Sequence, residues 1–186
     1  LEKGEESELI PCTEASAGRS GSRPVPHPLC DKLQYLAGDF LEYGGQVTSG
    51  FAKDAREPHR KFLEGLRKWA SSNEAGHPKL DAILAYVEKG RLMRDLVDSG
   101  VLPLDEKGRI MMKWDGTPKD KPRIFQVMQT TSTPDEAFVR WRVEIPGVLA
   151  SGTWEDLDLQ NAWIRQYASQ QTKRGVCLVT GEQTIL

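Results

Sequence analysis

Ala55, His59, Phe62, Leu66 and Trp69 recur at alternating steps of four and three, and this stripe constrains the fold more than any other feature of the chain. Only an α-helix, with about 3.6 residues per turn, places such positions on one face. Arg60, Lys61, Glu64, Arg67 and Lys68 fall largely outside the stripe, as the solvent side of an amphipathic helix should. Pro58 then has to sit in the first turn, because an interior proline costs about 3 kcal/mol. A second helix is predicted over 79–89, with Leu80, Ile83, Leu84 and Val87 on one face and Gly90 as its stop. Leu92, Met93, Leu96 and Val97 predict a further short helix ending at Gly100. The middle of the chain is therefore helical.

Beyond it the period changes. Residues 109–114 and 123–129 read as strands joined by a loop that holds Gly116, Pro118 and Pro122. Over 138–145, Val139, Trp141, Val143 and Ile145 alternate with Arg140, Arg142 and Glu144, the pattern of a strand with one buried and one charged face. Pro146-Gly147 ends it. Thr153, three residues before Asp156, approximates a capping pattern for a last helix, whose core face would be Leu157, Trp163, Ile164, Tyr167 and Ala168. Residues 176–180 form a final β-rich run, and 29–38 is apolar but too short to assign. The expectation is a mixed α/β (α+β) fold, with a helical first half, then a mainly antiparallel sheet and a packed helix. The sheet face and the helix each need an apolar partner, so Trp141, Val143, Trp163, Ile164, Cys177 and Val179 are expected to share one core. Residues 1–28, acidic and then rich in Ser, Gly, Arg and Pro, read as a flexible or loop-like arm before a single domain over 29–186. A start at Leu1 rather than methionine, and an end soon after a strand-and-turn signal, suggest a piece of something longer, truncated at its C-terminal end.

Composition narrows the function classes. With 38% hydrophobic and 28% charged residues among 186, the chain is of the globular class. No apolar run approaches the roughly 20 residues of a membrane helix, so no membrane partner is expected and the cytoplasm is the expected compartment. A net charge of −2 rules against a basic body that grips nucleic acid through its backbone alone, so any such contact has to be local. Three widely spaced cysteines, Cys12, Cys30 and Cys177, point to reduced thiols rather than a disulfide framework.

Catalytic and metal chemistries find little in the sequence. His27, Cys30 and Cys12 could supply three zinc ligands, but a closed structural site needs four, and a loop histidine with a buried thiol is the preferred reading. Cys177 could be a nucleophile, yet Val176, Leu178 and Val179 surround it with apolar residues in which a thiol is usually inert. Glu155, Asp156 and Asp158 stand where the last helix starts and complement its dipole. Neither GxxxxGK[ST] nor GxGxxG occurs. No cofactor, metal site or catalytic residue is assigned, and the chain is expected not to be an enzyme.

Two loops are locally basic. In the first, Arg19 and Arg23 flank small residues that would let backbone amides approach a phosphate or a groove. In the second, Lys113, Lys119, Lys121 and Arg123 outnumber Asp115 and Asp120. By charge alone these are ordinary solvated loops more often than DNA contacts, because such clusters are common on any soluble domain.

The run RGVCLVTGE over 174–182 resembles the Cys-x-Val-Thr-Gly-Glu signature of the large subunit of the type I-C CRISPR surveillance complex, Cascade. Upstream, Trp163 occupies the place of that family's helix tryptophan, and FVRWRVEIPG is similar to its aromatic-basic strand. AKDAREPHRKFLEGL carries His59 three residues before Phe62, and LCDKLQYLAG resembles the family's leucine-cysteine-aspartate segment. These likenesses are collinear from about Leu9 to the end. The family's strand-rich opening and its continuation after Thr-Gly-Glu are absent, and 109–134 matches poorly.

The resemblance implies a non-catalytic subunit of an RNA-guided antiviral complex. It would sit among crRNA-bound Cascade backbone subunits, probe the PAM of target double-stranded DNA and help hold the displaced strand in the R-loop before a helicase-nuclease is recruited. Arg19, Arg23, Lys113, Lys119, Lys121 and Arg123 become candidate DNA-binding residues. The alternatives are a structural subunit touching only the RNA–protein backbone, for which the discriminating question is whether Arg19, Arg23, Lys119 and Lys121 share an exposed face, and a cysteine- or metal-dependent enzyme, which an exposed Cys177 beside a histidine would favour.

Overall fold

The structure, a computed structural model, describes residues 10–72, 76–129, 131–171 and 174–185. Its elements in chain order are α1 (Glu14–Ala17), β1 (Asp31–Lys32), α2 (Leu33–Leu36), α3 (Glu57–Ser72), α4 (Pro78–Val87), α5 (Leu92–Asp98), α6 (Arg123–Val127), β2 (Phe138–Val139), α7 (Leu157–Gln170), β3 (Arg174–Val176) and β4 (Gln183–Ile185). It is a mixed α/β fold. The strands described form two antiparallel pairs, β1 with β2 and β3 with β4.

The segment too short to assign from sequence is the hub. Leu29, Cys30, Leu33, Tyr35, Leu36 and Ala37 are all buried, and Asp31 pairs in register with Val139, Lys32 with Phe138. Against this hub lies α3, with Pro58 in its first turn and Phe62, Leu66 and Trp69 buried, as the stripe predicts. The ring of His59 continues the stripe, its Nδ1 3.0 Å from the Tyr35 carbonyl. On α4, Leu80, Ile83 and Val87 face inward, and the chain turns at Gly90 with a left-handed φ of 61°, a conformation that a Cβ disfavours. Gly38 makes the matching approach: a Cβ there would lie 3.0 Å from the Gly90 Cα. The buried Asp39 then accepts hydrogen bonds from the backbone N–H groups of Met93 and Arg94, capping α5 from a distant part of the chain.

The second half departs from the sequence reading. Residues 123–129 are not a strand; after Pro122, which presets the backbone, Arg123–Val127 forms one turn of helix that drives Ile124 into the core. Ile, Phe and Val favour strands only where a pleated partner exists, and among the described residues none pairs with this segment. Over 109–114 a single bridge, Ile110 with Leu104, replaces the expected strand. The alternation over 138–145 does appear, although the regular strand covers only Phe138–Val139. Val143 donates its N–H to Ser151 O, Thr153 donates to Trp141 O, and Arg142 faces Gly152 across a bridge.

Of the six residues expected to share a core, Trp141, Val143 and Trp163 are partly buried against it. Trp141 donates its indole N–H to Leu29 O at 2.7 Å, and Trp163 meets Trp69 edge-on at 5.1 Å. Ile164 and Val179 do not belong there, being 60% and 93% exposed, and Cys177 is only half-buried. The inward face of α7 is Leu159 and Ala162 with Trp163, whereas Leu157 is exposed. The run 176–180 is not continuous strand either: β3 ends at Val176, and the Gly181 N–H donates to Cys177 O, so 177–181 bends back toward β4 with Leu178 and Val179 facing outward.

Residues 10–28 carry α1, capped reciprocally by Thr13 and Ser16, and are tied to the rest at several points. Cys12 O accepts the Trp163 indole N–H, and the Glu14 N–H donates to the Tyr167 hydroxyl at 3.4 Å.

Candidate nucleic-acid interface

The first basic loop divides. Arg19 is drawn inward: its guanidinium grips Asp31 with two hydrogen bonds, at 2.6 and 2.8 Å, donates a third to Val25 O and lies over the Tyr35 ring at 5.1 Å. Asp31 is wholly buried and also accepts the N–H groups of His27 and Lys32. The pairing raises the Arg19 pKa further above its ordinary value. A buried carboxylate needs such a counter-charge, so Arg19 is engaged in the fold and offers less of its guanidinium to solvent than a loop arginine would. Arg23, four residues on, is exposed and makes no ion pair among the described residues.

The second loop holds its shape without using its cations. Gly116 lies under the Trp114 indole, which a Cβ at that position would strike, and the indole N–H donates to Thr117 O. A short turn follows at Pro118–Asp120, where the Thr117 hydroxyl donates to Asp120. Lys113, Lys119 and Arg123 are exposed and Lys121 is half-buried. None of the four forms an ion pair among the described residues.

A third basic feature was missed from the sequence. The guanidiniums of Arg140 and Arg142 lie over the Trp154 ring, 4.2 and 4.8 Å from its centroid, within cation–π range. The cross-strand contact at Arg142 and Gly152 brings the tryptophan there, and Gly152 lacks the Cβ that would collide with its ring. Arg140, Arg142 and Trp154 line a groove of about 460 Å³ together with Leu102, Ile124 and Val139. Ile124 follows Arg123, so the end of the lysine loop borders the same groove. The alternation of arginines with Val139, Trp141 and Val143 was a usable signal. What hid the site is Trp154, which is remote from that strand until 141–143 pairs with 151–153.

The remaining candidate chemistries settle elsewhere. Cys12 is exposed, His27 turns to Ser16, and burial pushes the Cys30 thiol up to about 12; among the described residues no group of three or more His, Cys, Asp or Glu is arranged to hold a metal ion. Cys177 is not an inert core thiol. The Thr180 hydroxyl, then the N–H groups of Thr180 and Val179, hold its pKa below the ordinary value. The rings of His27, His59 and His77 pair instead with Ser16, Tyr35 O and Asp156. Asp156 caps α7 by accepting the Leu159 N–H and pairs at 2.7 Å with the buried Lys79, which also donates to Ala150 O. Burial works against the Asp156 charge, but Lys79, the Leu159 N–H and His77 outweigh it and hold the carboxyl below the usual range. Among the described residues no helix is long and apolar enough to cross a membrane.

Residues 2–186 match a family model described as CRISPR-associated protein (Cas_Csd1). No curated protein and no solved structure matches the chain.

Proposed function

The chain belongs to the CRISPR-associated Cas_Csd1 family, and from that premise we propose that it acts as a non-catalytic part of the large subunit of a type I-C surveillance complex, in antiviral defence. In this reading it works in the cytoplasm among crRNA-bound backbone subunits and contacts target double-stranded DNA next to the PAM. It stabilises the opened R-loop until a helicase-nuclease arrives.

The observation that carries the DNA contact is the loop 113–123: a self-supported turn whose Lys113, Lys119, Lys121 and Arg123 have no carboxylate partners among the described residues. Point charges of this kind hold phosphates without reading bases. Arg23, the loop arginine left to solvent, is the candidate for base readout, because an arginine fork matches guanine in the major groove. A net charge of −2 suits brief interrogation, since a strongly basic protein would linger on nonspecific DNA.

The test is a salt titration of target binding by the assembled complex. Lys119→Ala with Lys121→Ala lowers affinity evenly across PAM sequences and flattens the salt slope by about 0.9 for each phosphate that the lysines had neutralised. Arg23→Ala weakens binding by about 1–3 kcal/mol and relaxes PAM preference. Unchanged affinity, slope and preference in both variants would leave the loops as ordinary surface. The structural-subunit reading would then take over, favoured by the exposed apolar side chains of Leu149, Leu157, Ile164, Leu178 and Val179.

A further inference from the structure

We propose that two copies of this chain associate through the outward face of α7, each helix packing antiparallel against its counterpart in a single register. The inward face of α7 is Leu159 and Ala162. At about 100° per residue, the opposite face carries Leu157, Asn161, Ile164 and Ala168, spaced four, three and four residues apart. That spacing is the seam of a two-helix coiled coil. Leu157 is 70% exposed and Ile164 60%, so among the described residues nothing packs over them. Beside the seam runs a groove of about 470 Å³, with Ile10, Pro11 and Cys12 on one wall and Trp163, Ile164 and Tyr167 on the other.

The charges select the occupant. Asp158 and Arg165 are the charged side chains of α7; both are exposed, and neither forms an ion pair among the described residues. Seven residues apart, they lie on the same flank of the seam, separated by about 10 Å along the helix axis and so out of each other's reach. In an antiparallel pair, equivalent flanks of the two helices meet, and charges on them set orientation and partner. Asp158 of each copy then faces Arg165 of the other. The same register sets Leu157 of one copy against the small Ala168 of the other, and Asn161 against Ile164. An antiparallel pair shifted by seven residues would oppose like charges, and a parallel pair would set both charges against the neutral flank of Gln160 and Tyr167. Glu155, exposed just before α7, and Lys68, whose ammonium donates to Gln170 at its far end, extend the acidic-to-basic polarity that an antiparallel copy complements. Opposed helix dipoles act in the same sense. A single pair of helices about 21 Å long lies at the low end of specific interface sizes, so a dissociation constant of about 10–100 μM is expected. The face is separate from the DNA contact proposed for the lysine loop and does not rest on it.

The experiment is sedimentation equilibrium of the 186-residue protein at low salt, under reducing conditions so that the exposed Cys12 forms no cross-link, over about 5–500 μM to bracket that constant. A monomer–dimer equilibrium is expected. Asp158→Arg alone and Arg165→Asp alone each put like charges across both contacts and are expected to weaken the dimer about tenfold or more. An equimolar mixture of these two variants restores opposite charges at both contacts, as does the double variant, and each is expected to dimerise as the wild type does. Ile164→Ser, at an exposed position, is expected to weaken association at least as much and keeps the test readable if a charge variant fails to fold; thermal melting checks every protein. Any one of four results overturns the proposal: a wild type that stays monomeric throughout, which leaves the face to a different partner; species larger than a dimer; undiminished dimerisation of a folded single variant; or a mixture of the two folded charge variants that stays monomeric.

Discussion

Arg19 and Arg142 are the same residue type in stretches that look equally basic, and the fold uses them in opposite ways. Arg19 ends on a carboxylate with no exposed surface, whereas Arg142 ends on an indole ring at the rim of a groove. A buried carboxylate without a counter-charge costs several kcal/mol, so the hub cannot form unless Arg19 turns inward. An indole attracts a guanidinium but leaves its charge intact, so the field of Arg142 persists at the surface. Whether a basic residue can meet a phosphate is thus decided by what the fold places opposite it.

The largest effect that would sharpen this contrast is in stability. Arg19→Ala is expected to destabilise by about 3–5 kcal/mol, because it strands the Asp31 carboxylate, while Arg142→Ala costs at most about 1 kcal/mol through the missing cation–π interaction. Urea denaturation of both proteins decides it. A loss at Arg19 no greater than that at Arg142 would break the comparison.

Lys79 and the lysines of the loop repeat the contrast with a different cation. Asp156→Asn leaves the buried Lys79 with Ala150 O and no carboxylate, and is expected to cost about 3 kcal/mol at neutral pH. In the unaltered protein the Asp156 carboxyl titrates below its ordinary value. Its contribution is therefore full above the unfolded carboxyl pKa of about 3.9 and is lost as pH falls through the depressed folded value. Melting curves across that acid range should fall less steeply for Asp156→Asn than for the wild type. Equal steepness would show that Lys79 is held by something other than this carboxylate.

The smallest effect expected is at Arg23. Exposed and without an ion-pair partner among the described residues, it should tolerate alanine within about 0.5 kcal/mol of stability, so any change it causes in PAM preference is read without a folding artefact. A loss of stability as large as that from Arg19→Ala would mean that both loop arginines serve the fold.

The parts legible in the sequence are those in which neighbours along the chain settle the outcome. The spacing of Phe62, Leu66 and Trp69 specifies a helix and its buried face, Gly90 marks where the next helix stops, and the alternation through Trp141 marks an extended segment. Short apolar runs are ambiguous for a physical reason. Ile124, Phe125 and Val127 suit a strand by side-chain shape, but a strand needs a partner to take its hydrogen bonds, and among the described residues none pairs with them. Ile164 and Val179 misled in the same way, because being apolar does not specify which side of α7 or of the last turn meets the core. Cys177, among apolar neighbours in sequence, sits in a bend whose hydroxyl and N–H groups shape its acidity.

What the sequence by itself determined is the order of the helices and the inward face of α3, together with the local origin of the basic loops, all of which depend on residues within a few positions of each other. Membership of a CRISPR-associated family is carried by the chain as a whole. Tertiary structure alone decided that Arg19 is spent on Asp31, that Asp39 caps α5, that Lys79 is buried against Asp156, and that Trp154 reaches Arg140 and Arg142. Each of these joins charges, dipoles or rings from separate parts of the chain. Electrostatic and stacking energies depend on distance and burial, which the order of residues does not contain.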